Sequence, residues 1–77
     1  MDEVTKQYNE RAKRILRAQM AAKGLNFDGL SQALAEIGHQ ESAKNLSNKI
    51  GRGTFTAGFF MMCLEAMRYE IVRLSDV

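Results

Sequence analysis

Ser42-Ala43-Lys44-Asn45-Leu46-Ser47-Asn48-Lys49-Ile50-Gly51-Arg52-Gly53 carries two patterns at once. Ala43, Leu46 and Ile50 recur at three- and four-residue steps, which predicts a helix over residues 43–50 with Ser42 as its N-cap. At about 100° per residue, Lys44, Asn45, Asn48 and Arg52 fall opposite that apolar stripe, with Ser47 and Lys49 on its flanks. This outer side offers hydrogen-bond donors and acceptors and holds no acid. Gly51 and Gly53 bracket Arg52 as the expected helix stop.

Working upstream, residues 27–37 form the preceding helix. Asn26 caps it, Asp28 complements the dipole in its first turn, and Phe27, Leu30, Leu34 and Ile37 supply its apolar side until Gly38. Gly29 costs such a helix about 1 kcal/mol relative to alanine. A long first helix spans residues 5–23, with Tyr8, Ala12, Ile15, Leu16 and Met20 as its stripe and Gly24 as its stop. Downstream, Thr56 caps a fourth helix over residues 57–68, and Phe55 and Phe60 occupy the two positions of a hydrophobic staple. That helix contains Phe59, Phe60, Met61, Met62, Cys63, Leu64 and Met67, apolar almost all round, as expected of a helix enclosed by the others or by a second subunit. Residues 69–74 have strand-like composition. They read either as a strand pairing with its own copy in a homodimer, which the fourth helix would share, or as a packed coil tail.

These elements define an all-α fold of four helices in a single domain over residues 1–77. Composition agrees, since 45% apolar and 26% charged residues are those of a chain that folds. A domain this small is marginally stable, and dimerisation is one remedy. A lone Cys63 inside an apolar run fits a buried thiol in a reducing compartment, so the cytoplasm is the expected location. The charged start does not match a signal peptide, and no apolar run is long enough to span a membrane. Net charge is only +2, but Arg11, Lys13, Arg14, Arg17 and Lys23 form one acid-free cluster, and Lys44, Lys49 and Arg52 form another. Such clustering suits attraction to phosphates; the other reading is a merely solvated helix surface.

Chemistry finds little material. One His and one Cys make no catalytic constellation or metal-ligand set, and an enzyme is not expected, nor any cofactor. His39 reads as a turn histidine, solvated or bonded to backbone. Gly51-Arg52-Gly53 lacks the preceding strand and the Lys-Ser or Lys-Thr pair of a nucleotide loop.

The helix order resembles the lambda-repressor-like helix-turn-helix domains. Gly24-Leu25-Asn26 followed by Leu30, Ser31 and Leu34 is similar to the stretch leading through that family's first motif helix, and residues 45–53 to the end of its recognition helix and the basic turn after it. Residues 35–41 depart from the pattern, being longer than the family's tight turn. The stretch from Arg11 to Leu74 resembles more closely a group of short bacterial domains of uncharacterised function with an Asn-Leu…Asn-Lys-Ile…Arg-Gly-Thr-Phe segment. The first resemblance implies binding to double-stranded DNA, as in a small bacterial, phage or plasmid transcriptional regulator. Its third helix would enter the major groove, with Asn45 and Asn48 on an adenine edge, Lys44 or Lys49 on a guanine, and Arg52, Arg14, Arg17 and Ser47 on phosphates. The alternative is a protein-interaction module that uses the same fold without DNA, through the methionine-rich fourth helix.

Overall fold

Every helix begins on a side chain that closes its first turn. In the computed structural model, which describes residues 2–68, these are α1 (Glu3–Ala22), α2 (Phe27–Glu36), α3 (Ala43–Arg52) and α4 (Ala57–Ala66). Asp2 accepts a hydrogen bond from the Thr5 N–H at 2.8 Å, Asn26 from Gly29 at 2.8 Å, Ser42 from Asn45 at 3.1 Å and Thr56 from Phe59 at 3.0 Å. Each bond satisfies a donor that the helix itself leaves unpaired. Asn26, Ser42 and Thr56 are the caps the residue pattern predicts. Asp2 is not, and it starts α1 earlier than the predicted residue 5. The strand expected at residues 69–74 lies outside the described residues, among which there is no strand.

The stops separate into three kinds. Gly24 and Gly38 take left-handed φ values of 68° and 94°. The following N–H groups then reach back, Leu25 to the Met20 carbonyl and His39 to that of Leu34, both at 2.9 Å, which is a Schellman closure. At the end of α3 the expectation is corrected: Gly51 and Arg52 remain helical, and Gly53 is the cap, with φ 71°. The two glycines have the same intrinsic preference, and tertiary packing distinguishes them. A Cβ at Gly53 would lie 2.9 Å from the Asn9 carbonyl oxygen of α1. α4 ends at Ala66, short of the predicted residue 68, on a left-handed Arg68 with φ 65°, a conformation that costs a non-glycine residue about 1–2 kcal/mol.

α2 packs on α3 and α4, and α1 packs on the same two helices. The ring α1–α3–α2–α4 thus closes around one core of Leu16, Met20, Leu30, Leu34, Leu46, Ile50, Phe59, Cys63, Leu64 and Met67. Burying a leucine-sized side chain contributes roughly 1.5–3 kcal/mol. The Phe55 and Phe60 rings stack at 6.1 Å with 5° between their planes, so the staple forms, and Phe55 also meets Phe59 at 5.5 Å. Three apolar positions differ from the stripe reading. Tyr8 is 59% exposed, Ile37 46% and Met61 67%. Tyr8 lies on the edge of its stripe, Ile37 is the C-cap of α2, and the described residues leave Met61 on the outer side of α4 uncovered. Among the described residues, no helix is long and apolar enough to cross a membrane.

Candidate functional site

The outer side of α3 follows from its inner one. Leu46 and Ile50 are fully buried, so the helical period turns Lys44, Asn45, Ser47 and Asn48 to solvent, and all four are exposed, as is Arg52. The side chains of Lys44, Ser47, Asn48 and Arg52 make no hydrogen bond or ion pair with the described residues. Lys49 is placed differently from its neighbours. Its Nζ lies 2.7 Å from Glu41 Oε2 and 4.6 Å from the centre of the Phe59 ring. A helical side chain leans toward the N-terminus of its helix, and that tilt carries Lys49 back toward Glu41 and away from the exposed row.

Glu41 is the site residue that the sequence pattern does not disclose. It stands just before the Ser42 cap, where α2 and α4 each have an apolar residue, Leu25 and Phe55. Its side chain is only 9% exposed, and besides Lys49 it holds His39 Nε2 at 2.8 Å. Its backbone carbonyl accepts a 2.6 Å bond from Ser31 Oγ on α2. Desolvation pushes the carboxyl pKa up, but the hydrogen bonds and charges of Lys49 and His39 outweigh it, so the pKa lies below the ordinary 4.5. The long turn between α2 and α3 is thereby tied to both helices. His39, expected to be solvated or bonded to backbone, is bonded to a carboxylate instead. Gln40, also unforeseen, lines an open polar groove with Ser31, His39, Ser42, Asn45 and Lys49.

The basic side of α1 meets the C-terminal end of α3. Lys13 Nζ lies 3.4 Å from the Gly51 carbonyl oxygen, complementing the negative end of the α3 dipole. The Arg17 guanidinium approaches to 3.9 Å from where a Gly51 Cβ would stand. Arg14 and Arg17 are both exposed. A 3.0 Å bond from Lys13 lowers the pKa of Glu10, helped by the positive charge of Lys13, Arg14 and Arg17. Arg17 and Arg52 therefore border one end of the polar row, with Arg14 further round α1.

Cys63 is fully buried, and its thiol pKa is pushed up to about 12, first by burial and then by the Glu41 charge, against a smaller opposite influence from Lys49. No cluster of three or more His, Cys, Asp or Glu side chains suited to a metal ion occurs among the described residues.

Fold and surface together define a small all-α domain whose third helix presents an acid-free polar side bordered by cations. The chain belongs to the family described as a domain of unknown function (DUF6471), whose model matches residues 8–72. No curated protein and no solved structure matches it.

Proposed function

We propose that this domain binds double-stranded DNA through α3, as a small transcriptional regulator of helix-turn-helix type working in the cytoplasm. The observation that carries this reading is the approach of Arg17 to Gly51, which joins the basic side of α1 to the polar row of α3. Lys44, Asn45 and Asn48 then face base edges, and Arg52, Arg17, Arg14 and Ser47 reach phosphates on the border of the same surface. Lys49 is assigned a different part from the base contact first expected of it: its ion pair with Glu41 ties α3 to the turn before it. No catalytic step is assigned to the domain.

The test is fluorescence-anisotropy binding to duplex DNA at two salt concentrations. Affinity should fall steeply with salt, and Arg52→Ala or Arg17→Ala should each lower the slope of log affinity against log salt by about 1. Asn48→Ala should weaken a preferred site more than random duplex. Absence of binding at low salt overturns the proposal and favours the second reading, a protein-interaction module, which the exposure of Met61 on α4 supports.

A further inference from the structure

While one flank of α1 meets α3, another opens onto an apolar groove that the DNA-contacting residues do not use. Tyr8, Ala12 and Ile15 face Phe55, Ala57 and Phe60 across a cavity of about 280 Å³, with Arg11 and Thr56 on its rim. At about 100° per residue, Tyr8, Ala12 and Ile15 share a side of α1 well separated from Lys13 and Arg17. The groove and the cationic border thus look in different directions. Val4, one turn before Tyr8, is 62% exposed, and Met61, one turn after Ala57, is 67% exposed. Single exposed apolar residues are ordinary, but Tyr8 lines this groove, Val4 and Met61 each stand one helical turn from a residue that lines it, and such grouping marks an interaction surface.

The solvent side of α4 also carries a complement to that groove. Ala57, Met61 and Glu65 follow each other at four-residue steps, so an apolar knob and an acid continue the ridge of α4 that begins at the groove-lining Ala57. Glu65 makes no side-chain hydrogen bond or ion pair with the described residues. Arg11, whose guanidinium lies 5.0 Å over the Tyr8 ring, sits at the other end, beside the start of α4. We infer that the groove is occupied by a second copy of this chain, with the two α4 helices antiparallel about a two-fold axis.

Charge complementarity selects that occupant and that direction. α4 is about 15 Å long, and an antiparallel crossing brings Glu65 of each copy to the end of the other copy's α4 where Arg11 rims the groove. The same contact meets the positive end of the helix dipole. Met61, near the midpoint of α4, falls at the axis and covers the neighbouring groove. Knob, groove, acid and base all lie on one surface, as a self-complementary contact requires.

Sedimentation equilibrium of the full chain over a range of concentrations tests the inference without DNA, so its outcome is independent of the proposed function. A dimer is expected, with Met61→Glu raising the dissociation constant at least about tenfold, as for a residue central to an interface. Met61 is exposed, so circular dichroism should show its helices intact. Glu65→Arg and Arg11→Glu should each weaken association, and the double variant should recover it. A chain that stays monomeric at every concentration overturns the inference and leaves the groove to a small apolar ligand. A dimer indifferent to Met61→Glu, or a double variant that recovers nothing, overturns the assigned surface or its antiparallel sense.

Discussion

Replacing Gly53 by alanine would ask two things of the backbone at once. The residue would have to hold φ 71°, and its Cβ would press to 2.9 Å from the carbonyl oxygen of Asn9. Left-handed strain and overpacking against backbone together should cost about 2–4 kcal/mol, measurable as a shifted urea midpoint with unchanged m-value. Gly29→Ala is the instructive contrast. There a Cβ would meet Leu25 Cδ2 at 2.9 Å, the tip of a side chain that can turn aside, while alanine improves helix propensity by about 1 kcal/mol. The change should be close to neutral in the same titration. Two differences separate the glycines: Gly53 holds a left-handed φ and faces a backbone oxygen, whereas Gly29 is helical and faces the tip of a side chain. Nothing in the neighbouring residues announces that Asn9 passes close to Gly53, and so the α3 boundary could not be read from the chain alone.

At the scale of the element, α3 owes its start to two devices of different visibility. The Ser42 cap is legible because serine before an apolar period is a local signal, and Ser42→Ala should lower stability by about 1 kcal/mol. The Glu41 ion pairs are not legible, since Lys49 lies two helical turns from the turn it anchors and no short spacing rule links them. Their pH dependence follows from the lowered pKa of Glu41. A carboxyl with a folded pKa below its unfolded 4.5 adds its stabilisation in full above that pH and loses it as the pH falls through the folded value. Glu41→Gln should therefore cost about 1.5 kcal/mol at neutral pH, the low end for a charged hydrogen bond because Lys49 is still 34% exposed. Thermal melts of the two proteins should converge on acidification; a gap that persists at low pH would mean that shape, rather than charge, holds the turn. The Phe55–Phe60 staple is the opposite case, being fully foreseen from spacing, because both partners lie within one turn of the same cap.

For the whole molecule, the four-helix fold was within reach of the residue pattern because the stripes of α1, α2 and α3 predict Leu16, Leu30, Leu34, Leu46 and Ile50 inside, and all are fully buried. α4 was less legible, since an apolar periphery does not say which side is covered, and the groove beside Tyr8 had no signature at all. With 77 residues, total stability at about 0.05–0.15 kcal/mol per residue is a few to about a dozen kcal/mol. Leu34→Ala, which empties a site 0% exposed, should remove about 2–5 kcal/mol and leave a substantial unfolded population at physiological temperature, visible as reduced helical circular dichroism. The position of Cys63 gives that equilibrium a built-in clock. With its sulfur fully enclosed and its proton held until pH about 12, an aromatic disulfide reagent can modify it only in molecules that have opened. The labelling rate then equals the opening equilibrium multiplied by the rate for a free thiol, so an unmodified chain reports its own native-state fluctuations without any denaturant.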